Sequence, residues 1–215
     1  DMTLQFAHNK KRRGFSLTEF AIVLGIIGIV IASLWSVVSI VRENMKRTQM
    51  KEQLYVIVGK VRDHYLSYPC ATTNMSVCTN GADLTNYLLR NSAMPHEMLR
   101  DRTAATWVAD NPWGARAASG SALGSGGVSV TAGDSAGLTP DRFFTVTVRG
   151  LDRDSCLGLA GKLTGTGNAG GLASFQINGT AMTLPSSPED ADAECADASG
   201  TDVNRLALTY TLRAP

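Results

Sequence analysis

The sequence predicts an α+β protein, with one long N-terminal α-helix packed on a globular head built around an antiparallel β-sheet. Three observations carry that expectation. An uncharged run of 22 residues, Phe20 to Val41, leads into apolar residues at helical spacing. Short alternating segments occur later in the chain. One helix lies among them, and strands, a helix and more strands after a long helix suggest an α+β head with an antiparallel sheet.

The chain has 215 residues, 44% of them hydrophobic, enough for one packed domain plus an extra segment. Its net charge is +1, yet residues 1–14 set Lys10, Lys11, Arg12 and Arg13 against Asp1, a local net of +3 that leaves −2 for the rest. A basic cluster beside an apolar run points to membrane orientation. No basic face interleaved with aromatics follows it, so direct nucleic-acid binding is not expected.

As a helix, the uncharged run is about 33 Å long, against a bilayer core of about 30 Å. The positive-inside rule keeps Lys10 to Arg13 cytoplasmic and exports everything after Val41. An ordinary secretory signal has a shorter apolar region and is cut after it. Here the polar stretch Ser16-Leu17-Thr18-Glu19 precedes the run instead. Glu19 either stays at headgroup level in water or meets a positive partner. Met50, Leu54, Ile57, Val61 and Tyr65 then recur at steps of three and four, with Lys46, Arg47, Lys51, Glu52, Lys60, Arg62 and Asp63 on the other faces. One helix is expected from about Phe15 to about Leu66, stopped before Pro69. Residues 15–42 form its membrane-spanning half and 43–66 an amphipathic half that packs on the head, residues 67–215. Gly25 and Gly28 either let helices approach closely or are tolerated defects.

In the head, Asp83 to Leu89 and Pro95 to Arg102 read as short helices. Asn111-Pro112-Trp113-Gly114 and the Ala/Gly/Ser-rich stretch to Gly137 read as loops around a short strand at Val128–Thr131. Phe143–Val148 alternates, with Phe144, Val146 and Val148 on one face. Asp152 is placed to cap a helix running to about Leu163. Ala173–Ile177 and Ala181–Leu184 flank the hairpin signal Asn178-Gly179. Leu206, Leu208, Tyr210 and Leu212 mark a last strand.

Four cysteines, Cys70, Cys78, Cys156 and Cys195, include no Cys-x-x-Cys pair, so neither zinc nor a thioredoxin-type site is expected. An even count behind an export segment suggests disulfides. Three pairings are open. Cys70–Cys78 with Cys156–Cys195 is the expected one, and buried free thiols are the alternative. The second bridge would tie the helix after Asp152 to the loop before the last strand.

The stretch KKRRGFSLTEFAIVLGIIGIVIASL, Lys10 onward to about Val41, resembles the class III signal of type IV prepilins and pseudopilins. That signal has a basic leader, a Gly, an apolar first mature residue, a Glu five residues into the mature chain, and about twenty apolar residues. The resemblance implies that residues 1–14 are a leader cut after Gly14 by a prepilin peptidase, and that Phe15 is then N-methylated. It implies that Glu19 pairs with the Phe15 amine of a neighbouring subunit. It also implies a pilin fold, a homo-oligomeric helical filament, an inner-membrane assembly platform and a cytoplasmic ATPase. The precursor would be a single-pass inner-membrane protein, held by lipid before assembly, and the product an extracellular pilus. If Met2 is the native start, Asp1 is a remnant. FFTVTVRGLDRDSCLGLAGKL with the late Cys195 is similar to type IVb major pilins, including those of conjugative thin pili, and the NPWG stretch resembles motifs there and in major pseudopilins. Phe15 and the short leader depart from the usual type IVb pattern. A pseudopilin or minor pilin, and a membrane anchor bearing an enzymatic or ligand-binding head, are the competing readings.

Two motifs suggest chemistry and lack its context. Gly133-Asp134-Ser135-Ala136-Gly137 matches a nucleophile elbow, which needs a strand before the Ser and a helix after it. Gly165 to Gly170 matches G-x-G-x-x-G but follows a helix and precedes a strand, the reverse of a dinucleotide site. Neither catalysis nor a cofactor is expected. Asn74-x-Ser76 and Asn178-x-Thr180 read as chance glycosylation patterns. Glu189, Asp190, Asp192, Glu194 and Asp197 read as a solvated acidic loop in preference to a calcium site, because no EF-hand spacing is present. His8, His64 and His96 are scattered, and no metal is expected.

Overall fold

The computed structural model describes residues 16–67, 79–99, 107–113, 127–133, 142–164, 170–195 and 204–212. Helix α1 spans Leu17–Ser67. The chain divides into two units at the seam between Arg42 and Glu43. In the first unit, none of the apolar stretch of α1 is buried.

In the second unit, the face of α1 carrying Met50, Leu54, Ile57, Val58 and Val61 is buried in the core of the head. Each such side chain contributes about 1.5–3 kcal/mol by leaving water. Helix α2, Thr85–Arg90, follows, then a 3-10 turn at His96–Met98. The sequence suggested a longer helix there, to Arg102. Leu99 instead turns extended and bridges Ala109, while the Asp110 N–H bonds the Met98 carbonyl at 2.7 Å. Those bonds take up backbone groups that a second helical turn would need.

Five antiparallel strands form one sheet in the order β1-β2-β5-β3-β4. They are β1 Val128–Ala132, β2 Phe143–Leu151, β3 Leu172–Ile177, β4 Thr180–Met182 and β5 Asn204–Thr211. Helix α3, Arg153–Thr164, separates β2 from β3, and α4, Pro188–Glu194, separates β4 from β5. Val130, Val146 and Leu208 lie in register across three strands, as do Phe144 and Tyr210, whose rings stack at 5.7 Å. These side chains all join the core. On the opposite face, Thr145, Thr147 and Thr209 are also buried. The hydroxyls of Thr145 and Thr209 are provided for locally: Thr145 Oγ1 bonds Thr209 Oγ1 at 2.9 Å, and it lies within reach of the Gly133 carbonyl.

The sheet edges are short or covered. The 82–84 segment bonds β1 through Leu84 N–H to the Val130 carbonyl and Ala132 N–H to the Ala82 carbonyl, which blunts an otherwise open edge. The β3–β4 hairpin turns at Asn178 and Gly179, both in the left-handed region (φ 53° and 97°), as a two-residue hairpin turn requires.

Asp152 caps α3 by accepting the Ser155 N–H at 2.8 Å. Asp152→Ala is expected to cost about 1 kcal/mol, checked by the denaturant midpoint of the head. Of the acidic segment expected as a loop, Glu189, Asp190, Asp192 and Glu194 instead lie in helix α4, and Asp197 lies outside the described residues. Ser187 caps α4 through the Asp190 N–H, Pro188 opens it, and Glu189 and Asp190 sit in its first turn, where carboxylates are favoured. Its short apolar side, of which only Ala191 is buried, hid the helix from a periodicity reading.

Candidate functional site

The first candidate region is the apolar end of α1. The helix starts when the Glu19 and Phe20 amides bond the Ser16 carbonyl at 3.0 and 3.1 Å. Glu19 lies in the first turn, the helix end where a carboxylate is favoured. From there Leu17, Phe20, Ile22, Leu24, Ile26, Ile29, Leu34, Trp35 and Ile40 are exposed around the whole circumference. A helix apolar on every side is stable only when something apolar surrounds it. The positions of Gly25 and Gly28 are open, with nothing within 4 Å of an added Cβ. Lys10, Lys11, Arg12, Arg13, Gly14, Phe15, Cys70 and Cys78 lie outside the described residues.

The second region is the grip of the head on α1. At its start, Glu43 accepts hydrogen bonds from the indole of Trp113 at 2.5 Å and the hydroxyl of Ser155 at 2.8 Å. At its end, Arg62 Nε donates to the Thr211 carbonyl at 3.0 Å, and its guanidinium also bonds the Gly170 carbonyl. Burial lowers the Arg62 pKa, and nearby Tyr210 opposes that shift. Burial, with Tyr87 adding to it, pushes the Tyr65 phenol up to about 12. His64 Nε2 and the Tyr87 hydroxyl are 2.8 Å apart.

Cys156 and Cys195 are bonded, with their Cα atoms 6.0 Å apart. Cys195 follows the last residue of α4 in extended backbone, so the bridge ties α3 to the start of the segment before β5, as the sequence suggested. Arg153 and Asp192 pair beside it at 2.8 Å.

Of the two glycine motifs, only one end of each is described. Gly133 closes β1 by donating its N–H to the Phe143 carbonyl, so the next described element after it is strand β2, not a helix. Ser135 lies outside the described residues, as do residues 165–169 of the glycine motif. Asn178 bonds the Glu194 carbonyl and Asn204. Among the described residues, no group of His, Cys, Asp and Glu could hold a metal ion. Sequence reasoning missed Glu43, Trp113 and Ser155 as partners and Arg62 as a clasp. The i,i+4 spacing of Glu43 and Arg47 and the Asn111–Trp113 stretch were the available signals.

A long helix with one half apolar and uncovered, and a head of mixed helices and antiparallel sheet, is the architecture of a type IV pilin. The chain belongs to the Bundlin family, which matches residues 73–213, and residues 9–35 match the prokaryotic N-terminal methylation motif; it is a type IV prepilin. That family is one of structural subunits, not of enzymes. Among solved structures, the crystal structure of a type IVb pilin from Salmonella typhi is similar at 19% identity and a TM-score of 0.50. It covers 73% of this chain and 94% of its own. The NMR structure of the type IVb pilin PilS from Salmonella typhi matches at 23% identity and a TM-score of 0.41, over 74% and 94% of the two chains. No curated protein matches.

Proposed function

We propose that this chain is a major subunit of a type IVb pilus and acts by assembly, not by catalysis. Residues 1–14 are the leader, cut after Gly14 by prepilin peptidase, which also methylates Phe15. Residues 15–42 hold the precursor in the inner membrane, with the basic leader cytoplasmic. An ATPase-driven platform then extracts them into the filament core. Residues 43–66 and the head, 67–215, form the exported surface. The observation that carries this reading is the apolar half of α1, uncovered on every side and headed by one carboxylate, Glu19. Lipid covers it before assembly, and neighbouring copies cover it afterwards, with Gly25 and Gly28 allowing close approach.

The Phe15 amine exists only after cutting. Glu19 then has an opposite charge to meet on a neighbour, so processing licenses assembly. Mass analysis of the mature protein is expected to find Phe15 first, with one added methyl group. A mature chain beginning elsewhere overturns the processing step. Sheared filaments in which this chain is scarce would move it to the minor pilin or pseudopilin role.

A further inference from the structure

One carboxylate oxygen of Glu43 gathers segments far apart in sequence. Besides Trp113 and Ser155, it faces Arg47 Nε at 3.6 Å. The Arg47 guanidinium lies against α3 at Gly158, where an added Cβ would fall 2.6 Å from it. The Trp113 N–H donates to Asn111 Oδ1 at 3.0 Å, and Asn111 Nδ2 donates to the Arg149 carbonyl of β2 at 2.5 Å. The network therefore runs from α1 through the Asn111–Trp113 loop to α3 and the sheet.

This stretch of α1 differs in character from the turns after it. No residue from 43 to 49 is buried, and a second tie to α3 is also polar, Lys162 Nζ to Thr48 Oγ1 at 2.9 Å. From Met50 to Val61 the grip is an apolar stripe in the core. Polar contacts exchange for water at modest net cost, whereas the stripe cannot leave without exposing apolar surface.

We propose that Glu43 is the latch of a releasable segment. Residues 43–49, about 10 Å of helix, detach from the head when Glu43 loses its partners, while Met50–Val61 stays packed. Release frees these turns of α1 and leaves the sheet intact.

Hydrogen exchange of the full chain in detergent micelles, read by segment, tests this. In Glu43→Ala, the amides of residues 44–49 are expected to exchange about tenfold faster or more, because helical turns that lose their packing support open more readily and the bonds lost, to a charged acceptor, are the stronger ones. Amides of β2 and β5 stay unchanged. Trp113→Phe, which removes only the indole donor, gives the same local pattern, and Glu43→Gln, which keeps an acceptor oxygen, a weaker one. Unchanged exchange at 44–49 in Glu43→Ala overturns the proposal, and so does equal acceleration through β2 and β5. The readout concerns the single chain, so it stands or falls separately from filament assembly.

Discussion

Glu19→Val is expected to be cut after Gly14 and to stay in the membrane, yet to yield almost no filament. The side chain sits in the first turn of α1 among exposed Leu17, Phe20 and Ile22. Packing that surface against other copies takes residue 19 out of water as well. In the proposed filament, its carboxylate meets the amine of a neighbour. Valine solves its own burial but leaves that amine buried and unpaired, a loss of about 3–5 kcal/mol for breaking a buried pair from one side. It also removes the polar contact that selects one register among similar apolar ridges. That loss recurs at every subunit, so filament yield should collapse while the cleaved monomer accumulates. Quantifying sheared filaments alongside the mature N-terminal mass separates the two steps. Wild-type filament yield from this variant would show that the ion pair is unnecessary.

Removing the Cys156–Cys195 bridge is expected to destabilise the head by about 4 kcal/mol. The bond spans a sequence separation of 39, and closing a loop of that size removes much of the freedom of the unfolded chain. The native side loses as well. Helix α4 is seven residues long, too short to hold itself in water. Its other ties among the described residues include Ala191 in the core, the Asn178 bond to the Glu194 carbonyl, and the Arg153–Asp192 pair. That pair is half exposed and contributes little. The double variant Cys156→Ala, Cys195→Ala avoids leaving hydroxyls in a dry site, since both cysteines are buried. Its denaturant midpoint should fall, with α4 the first element to lose protection. A loss below about 1 kcal/mol, under the roughly 2–4 kcal/mol typical of such bridges, would show that packing alone holds α4.

How much of this was legible depended on how local each signal is. The buried stripe Met50, Leu54, Ile57 and Val61 followed from three- and four-residue spacing, and the core contains all four. The Asp152 cap and the Asn178-Gly179 turn are decided within a few residues, and both occur where the sequence indicated. Helix α4 was legible in part: Ser187, Pro188 and two acids are a helix start, but one buried alanine gives no periodicity to read. Local spacing favours a helix from Pro95, but the turn stops at Met98 because the bridge from Leu99 to Ala109 competes for the backbone; residues 100–102 lie outside the described residues.

By itself, the sequence determined the two characters of α1, because an uncharged run and an amphipathic run are properties of consecutive residues. It also determined the prepilin motif, which sits in one short stretch. Only the tertiary structure decided that β5, the last of the described strands, lies at the centre of the sheet between β2 and β3. Strand order depends on pairing between distant segments, and alternation says nothing about it. The same holds for Glu43, whose partners Trp113 and Ser155 lie 70 and 112 residues away. A carboxylate on a helix reads locally as a solvated charge, and the folded chain turns it into a junction by bringing a loop and a helix start within hydrogen-bond reach.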